Sequence, residues 1–476
     1  MASLTYDEAA HLLRRLGFGG PPDEINDLVA RGREGAVDYL INYESIDNQA
    51  MDDALSRAQL IESRISNGFA AQHWWTARML LTRRPFEEKM TLFWHNHFAT
   101  GLSKVEYNQM YVQNQTLRQS ALDRFDSLLL KVAQDPAMLV WLDGTTNVLG
   151  ASNENFGREL QELFTMGVKD LITGEPNYSQ KDVREIARAF TGWKFKQKAK
   201  PKFRFQLKFF VDPSQHDNTS KEIYGRTGNF SGEDLISLIA ARRATPRFLV
   251  NKLFEFFVYP LDLANPDDRS TLERFADVYM SSDHSIKAVV RAIFVSDEFF
   301  SDRARFGLIK NPIEFVVGAI RMLGATYNPG ATLFSLAAAL WTRAQRMGLD
   351  LLNPPDVAGW HLNLGWFNTA AMLERYNFAN DFVNTRVFDA TRSEVWLTGD
   401  QLKKYTDPSA QKTVENFLSA LGPLQASEEV VRVLTNYLES DDAGNHVDFV
   451  VDDATVDKNV RGLLRLVLCL PQSQLN

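Results

Sequence analysis

The stretch "SQKDVREIARAFTGWKFKQKAKPKFRFQLKFFV", residues 179–211, contains both kinds of secondary structure that the sequence predicts. Its first half opens with the cap-type residue Ser179, repeats apolar residues at helical spacing and closes at Gly192. Its second half alternates aromatic and basic residues with a period of two, which predicts a β-hairpin with a polar tip near Pro201. We therefore expect a capped helix followed directly by a hairpin.

The helical pattern recurs along nearly the whole chain. "SNENFGRELQELFTMGV" begins with cap-type residues and closes at Gly167. "TPRFLVNKLFEFFVYP" has Pro246 at a first helical position and Pro260 as a stop. Clear β-type alternation is confined to residues near 194–211. The sequence therefore predicts a mainly α, multi-helical globular assembly with one small β-hairpin insertion.

The length of the chain predicts two or more packed units or one large helical assembly. Its 476 residues exceed the size at which a single hydrophobic core usually stops growing. We expect a helical core over residues 1–395, which includes the β insertion, and a C-terminal helical segment over residues 396–476 packed on that core. Two polar loops, "DPSQHDNTSKEIYG" at 212–225 and "NPPDVAGWHLNLGW" at 353–366, interrupt the helices. Loops on a rigid scaffold often carry function.

Composition and charge exclude several classes of protein. Hydrophobic residues make up 45%, charged residues 24%, and the net charge is −8, which is typical of a globular protein. No Lys/Arg-rich tract is long enough to indicate nucleic-acid binding. Cys469 is the only cysteine, which excludes an internal disulfide and a thiolate zinc cluster. Without a secretory signal or a membrane-spanning run, the sequence predicts a soluble, cytoplasmic protein.

Two histidines form the first candidate site. "FWHNHF", residues 93–98, places His95 and His97 two residues apart among aromatic residues. Residues two apart on a helix point about 200° away from each other. Both rings can therefore face one site only if the helix ends here and the chain becomes extended. In the structural alternative, one histidine caps the helix and the other packs in an aromatic core.

Two carboxylates form the second candidate. Glu159 and Glu162 are three residues apart, so they share one face of a predicted helix. Paired carboxylates on one face suit a hard or borderline cation. In the structural alternative this face is solvated, and Arg158 pairs with both Glu154 and Glu162 at four-residue spacing.

Two further polar groups follow along the chain. Asp182 and Glu185 open a predicted helix, where acidic residues favour the helix dipole without any function. His216 and Asp217 are adjacent in the first polar loop and are followed by Lys221. A neighbouring His and Asp can supply a ligand and an acid, although an Asp in such a loop also forms turns.

The sequence contains no Walker loop, G-x-S-x-G, H-E-x-x-H or G-x-G-x-x-G signature.

Eight motifs occur in the order "HLLRRLGFG", "FWHNHF", "PAMLVWLDGTTN", "NENFGRELQELFTMGV", "YSQKDVREIARAFTGW", "QHDNTSKEIYG", "RFLVNKLFEFFV" and "NPPDVAGW". Together they resemble the bacterial family called domain of unknown function 1800, over nearly the whole chain. The matching polar and aromatic positions are Asn96, His97, Asn153, Glu154, Asn155, Arg158, Glu159, Glu162, Asp182, Arg188, Trp193, His216, Asp217 and Lys221.

The resemblance implies a partner but no settled activity. Many members look exported and are often encoded beside a sulfatase-like protein, so such a companion is expected here by resemblance. This chain departs from those members because it shows no export signal.

The polar residues that match the family motifs lie in otherwise apolar helices. Burying them is costly unless they meet polar partners, and the simplest solution is that they meet each other.

We therefore expect a site with a divalent transition metal, Fe, Mn or Zn. The expected ligands are His97, Glu159, Glu162 and His216, with His95 or Asp217 as the acid–base group. This site would make the protein a metal-dependent hydrolase or oxidoreductase. The alternative is a non-catalytic scaffold or partner-binding protein, in which the same residues form a buried ionic network and the hairpin is the contact surface.

Overall fold

Helices account for most of the chain in the computed structural model, which describes residues 3–197, 204–327, 333–384 and 395–476. The mainly α prediction is confirmed. The hairpin tip near Pro201 lies outside the described residues. In the described ranges, no helix combines the length and the apolar character that crossing a bilayer requires.

The described helices follow one another along the chain in this order. The first eight are α1 (Tyr6–Arg15), α2 (Pro22–Ile41), α3 (Gln49–Arg57), α4 (Gly68–Leu81), α5 (Pro85–His97), α6 (Tyr107–Gln119), α7 (Phe125–Ala133) and α8 (Pro136–Trp141). The next are α9 (Glu154–Glu162), α10 (Gln180–Ala189), α11 (Gly232–Ala240), α12 (Ala244–Phe257), α13 (Pro266–Ser281), α14 (Ile286–Phe294) and α15 (Pro312–Met322). The last are α16 (Leu333–Arg346), α17 (Thr369–Asn384), α18 (Gly399–Lys403), α19 (Ala410–Ala420), α20 (Glu428–Leu438), α21 (Asp453–Thr455) and α22 (Arg461–Cys469).

Helix α10 shows why the capped segments fold as predicted. Ser179 Oγ accepts a hydrogen bond from the backbone N–H of Asp182, and the Asp182 carboxylate accepts from the backbone N–H of Ser179. This reciprocal capping box satisfies N–H groups that the first helical turn leaves without partners. The helix then buries its apolar face, including Val183 and Ile186.

The predicted hairpin is present directly after α10. Strands β1 (Trp193–Gln197) and β2 (Leu207–Val211) pair antiparallel, with Trp193 opposite Val211. The described residues contain two further small antiparallel sheets that the sequence did not predict: β3 (Lys221–Ile223) with β4 (Arg226–Gly228), and β5 (Thr326–Tyr327) with β6 (Val395–Trp396).

The β3–β4 hairpin corrects the expectation of an irregular loop at 212–225. Its two turn residues, Tyr224 and Gly225, both have positive φ, 49° and 73°. A two-residue turn of this kind normally uses Asn or Gly at its first central position, so a tyrosine there gives little sequence signal.

Helix α5 lies in the interior and is held by buried charges. Glu88 accepts hydrogen bonds from Arg78 of α4 and Arg118 of α6. Lys89 pairs with Glu314 of α15 and is almost fully buried. These contacts tie α5 to its neighbours in sequence, α4 and α6, and to the distant helix α15, and so fix the position of its C-terminal end.

The C-terminal helices pack back on the preceding ones. Helix α22 lies against α17, and α19 and α20 both contact α22. These contacts fit a C-terminal segment packed on a core. The division of the chain at residues 395 and 396 stays a prediction.

Candidate functional site

A cleft with a volume of about 320 Å³ opens at the C-terminal end of α5. Side chains reach it from three helices and from the 353–366 loop. Its polar lining comprises Asn96, His97, Glu162, Lys252, Glu255 and His361, and its aromatic walls are Phe93, Phe248, Phe256 and Trp360. An aromatic-walled cleft with several converging polar groups is the usual form of a small-molecule site.

His97 lines this cleft, and its hydrogen bonding defines the tautomer of its ring. Its Nε2 lies 2.9 Å from the backbone carbonyl oxygen of Phe164. Because a carbonyl oxygen only accepts hydrogen bonds, Nε2 carries the proton and Nδ1 carries the lone pair. Burial, with a contribution from the charge of Lys252, lowers the pKa of His97 to about 3. The ring therefore stays neutral at physiological pH and acts as a hydrogen-bond acceptor or a metal ligand.

His95 lies on a different side of α5. The helix continues through His97, so the extended conformation that would bring both rings to one site is not adopted. The His95 ring packs edge-on against Trp75 and Trp360, with centroid distances of 5.4 and 5.5 Å. Burial lowers its pKa to about 3. His95 does not line the cleft, so this placement gives no support to the predicted acid–base role.

Glu162 lines the cleft without a basic partner among the described residues. Its Oε2 accepts a hydrogen bond from the Tyr178 hydroxyl at 3.3 Å. The solvated-face alternative required Arg158 to pair with both Glu154 and Glu162. In the structure Arg158 pairs with Glu154 at 3.1 Å and forms no ion pair with Glu162. Glu159 lies one turn earlier, and its pKa is raised by burial and by the charge of Glu162. The expected repulsion between the two acids is therefore a feature of this helix.

His216 and Asp217 belong to a separate network that attaches the 212–221 segment to α10. His216 Nδ1 lies 2.8 Å from the carbonyl oxygen of Thr191. Asp217 accepts from Arg188 Nε at 2.8 Å, and hydrogen bonds from Arg188 and Thr219 hold the pKa of its carboxyl well below the usual range. The buried Lys221 ammonium donates to the backbone carbonyl of Asp217. Asp217 therefore stays ionised and pins a loop, as the turn-forming alternative proposed.

The structure brings only two of the four predicted metal ligands to one place. His97 and Glu162 line the same cleft, whereas Glu159 and His216 are outside its lining. Across the described ranges, no group of three or more His, Cys, Asp or Glu side chains is placed to hold a metal ion. The four-ligand centre therefore has no support from the geometry, because Glu159 sits a turn away and the loop network holds His216. Metal binding itself stays a prediction.

Three cleft residues were not predicted from the sequence: Lys252, Glu255 and His361. Lys252 Nζ lies 3.7 Å from a Glu255 carboxylate oxygen on the same face of α12. For Lys252 and Glu255, the sequence signal was the three-residue spacing of two charged residues inside "RFLVNKLFEFFV", a segment that is otherwise strongly apolar.

Asn96 joins two distant motifs at the cleft. Its Oδ1 accepts the backbone N–H of Trp360 at 2.6 Å. Gly359 has φ +83°, and a Cβ placed there would lie 2.3 Å from Asn96 Oδ1. Only glycine permits this close approach, which brings Trp360 and His361 to the cleft.

A family model described as "Protein of unknown function (DUF1800)" matches residues 11–475. The chain belongs to the DUF1800 family. No curated protein and no solved structure matches the chain. In this DUF1800 member, four of the eight motifs that carried the resemblance contribute side chains to one cleft: "FWHNHF", "NENFGRELQELFTMGV", "RFLVNKLFEFFV" and "NPPDVAGW".

Proposed function

We propose that the cleft is the active site of a metal-dependent enzyme, a hydrolase or an oxidoreductase, in which His97 and Glu162 bind the ion. The orientation of His97 carries the proposal. Histidines that bind metals usually donate their other ring N–H to a backbone carbonyl or a carboxylate, as His97 does to Phe164. The lowered pKa of His97 also means that no proton competes with the ion for Nδ1 near neutral pH.

The charges at the cleft support a cation. Glu162 and Glu255 contribute two carboxylates, against the single ammonium of Lys252. Lys252 lies beside Glu255, so it does not neutralise Glu162. The pKa of Glu159 is raised mainly by burial and further by repulsion from the charge of Glu162. An ion bound at Glu162 would relieve that repulsion.

The donor set suits Fe, Mn or Zn, because these ions accept both imidazole and carboxylate ligands. Glu255 and His361 line the same cleft, but no three of these side chains converge on one point in the described structure, so either would have to move to become a further ligand. A bound ion of this kind would activate water or polarise a substrate oxygen. Lys252 would orient an anionic group of the substrate, and the aromatic walls would limit the entry of water.

A second candidate function is a non-catalytic scaffold or partner-binding protein. The buried charges on α5 favour it, because Glu88 and Lys89 form an ionic network that fixes helix positions without any substrate. Under this proposal the β1–β2 hairpin is the contact surface and a sulfatase-like protein is the expected companion. The companion and the cytoplasmic location both stay predictions.

Metal analysis separates the two candidates. The full chain, purified without chelator, should contain a stoichiometric transition metal or bind added Fe²⁺, Mn²⁺ or Zn²⁺ with a rise in melting temperature. Glu162→Gln and His97→Gln should each abolish this binding. Glu154→Gln, on the same helix but outside the cleft lining, is the matched control and should retain it. A wild-type chain that carries no metal and shows no shift with any of these ions would leave the scaffold proposal in place.

A further inference from the structure

A second pocket, with a volume of about 670 Å³, lies between the start of α4, residues 102–107 and the segment around Asp350. It shares no lining residue with the cleft. Its lining includes four side-chain amides and three aromatic residues: Asn67, Gln72, Gln345, Asn353, Phe69, Tyr107 and Trp341. We propose that this pocket binds a neutral carbohydrate of one to three pyranose units, independently of the metal site.

A half-buried carboxylate, that of Asp350, organises the hydrogen bonds of this pocket. Asp350 Oδ1 accepts from Gln72 Nε2 at 2.9 Å and from Trp341 Nε1 at 3.1 Å. Asp350 Oδ2 accepts from Asn353 Nδ2 at 3.0 Å. Three neutral donors therefore fix the carboxylate, and the side chain of Gln72 is only 3% exposed. Such a network holds its amides in defined orientations before any ligand arrives.

An exposed aromatic ring stands at the same pocket. Phe69 is 59% exposed and packs edge-to-face on Trp341, with a centroid distance of 5.5 Å and an interplanar angle of 69°. Trp341 is itself held by the Asp350 carboxylate. Phe69 therefore offers an aromatic face beside a row of amides. A pyranose ring has matching surfaces, because its C–H face is apolar and its edge carries hydroxyl groups.

The charges favour a neutral ligand. Lys104 lines the pocket, but its Nζ donates to the carbonyl of Trp141 and to Asp143, each at 2.8 Å. The carboxylates of Asp350 and Glu106 then disfavour an anion. A cation is a poorer fit than a sugar, because three donors already occupy the Asp350 oxygens. Gln72 Nε2 already donates to Asp350 and to the Leu351 carbonyl, so its amide oxygen and the exposed amide of Gln345 are the groups that complement hydroxyls. The volume also lies within the usual range for small-molecule sites.

Calorimetric titration of the full chain with cellotriose, maltotriose, xylotriose and N-acetylchitotriose tests the proposal, with choline as the cation probe. At least one trisaccharide should bind saturably, and Phe69→Ala and Gln345→Ala should each weaken that binding about tenfold or more. Both side chains are exposed, so these variants should fold. Phe334→Ala removes an exposed ring from α16 that does not line the pocket and should leave the affinity unchanged.

Three results would overturn the carbohydrate site. One is no binding of any of the four trisaccharides at millimolar concentration. Another is saturable binding of choline in their place. The last is a trisaccharide affinity that is equal in the wild type and in Phe69→Ala. His97→Gln should bind the trisaccharide like the wild type, so failure of the metal proposal and failure of this one give different results.

Discussion

Arg118 binds both carboxylate oxygens of Glu88 inside the protein, with Nε and Nη2 at 3.0 and 2.8 Å from them. Arg78 adds a hydrogen bond at 2.7 Å, and Trp75 Nε1 adds one at 2.9 Å. Burial alone would favour a protonated carboxyl, but the two guanidinium groups lower the pKa of Glu88 to about 2. The ion pair fastens α5 between α4 and α6, which determines where His97 reaches the cleft.

Replacing Glu88 with Gln should lower the free energy of unfolding by about 3–5 kcal/mol, because Arg118 and Arg78 would be left buried without a counter-charge. Equilibrium unfolding in urea measures the change. Glu429→Gln is the control, since Glu429 and Arg432 form an exposed pair that should contribute less than about 1 kcal/mol. Similar losses in the two variants would contradict the role assigned to burial.

The buried histidines should make the protein acid-sensitive. The pKa of His95 is about 3 in the folded chain and near its ordinary value of about 6.5 when unfolded. Between these values the unfolded chain binds more protons, so stability decreases as the pH falls through this window. One such histidine contributes a slope of up to about 1.4 kcal/mol per pH unit.

His95→Leu should remove the contribution of one titrating group to the pH dependence of the free energy of unfolding. Urea unfolding between about pH 4.5 and about pH 6.5 measures it. His446→Gln, at an exposed position, should leave the slope at the wild-type value. Parallel pH dependences for the wild type and His95→Leu would show that this ring is not the titrating group.

Gly359→Ala should displace the 353–366 loop from α5, because the new Cβ would meet Asn96 Oδ1 and the Asn96 carbonyl at 2.3 and 2.4 Å. We expect the free energy of unfolding to decrease by more than the roughly 1–2 kcal/mol that a left-handed conformation costs a non-glycine residue. Hydrogen exchange at the Trp360 amide should also accelerate. Gly150→Ala is the matched control, since Gly150 has φ +78° but no atom within 4 Å of its added Cβ. Equal losses would mean that backbone strain alone accounts for the effect.

Arg188→Met should loosen the segment that carries His216 and Asp217. The variant removes donors to the Asp217 and Glu185 carboxylates and should lower stability by about 1–3 kcal/mol. Amide exchange should increase across residues 212–221. Lys181 lies on the same helix as Arg188 and forms an exposed ion pair with Glu222. Lys181→Met breaks that pair and should have little effect on stability or on amide exchange. Retained protection of the segment in Arg188→Met would show that other contacts hold it.

Local sequence signals predicted the elements that depend on local physics. The Ser179 cap and the alternation after Trp193 both act within a few residues, so the helix and the hairpin could be read directly. The interior position of α5 could not. In "PFEEKM" the two acids resemble an exposed first turn, and only the packing of α6 and α15 supplies Arg118 and Glu314 as partners.

At the candidate site, too, the features set by local spacing could be predicted, and those set by the packing of distant segments could not. Helical spacing explains why His95 and His97 lie on different sides of α5, although both were predicted at the site, and it joins Glu162 to Glu159 on one helix. It cannot tell which helices meet, so Lys252, Glu255 and His361 were missed although they line the cleft with His97. His216 was assigned to the site by its motif, but its loop carries it to Thr191 instead.

The partnership of Lys89 with Glu314 also sets an order in time. The two residues are separated by 225 positions. A ribosome adding about 5–20 residues per second needs roughly 10–45 s between them. Throughout that interval the ammonium of Lys89 cannot meet the Glu314 carboxylate, so the buried contact between α5 and α15 is not yet formed. The N-terminal helices therefore reach their final packing only after residue 314 has been synthesised.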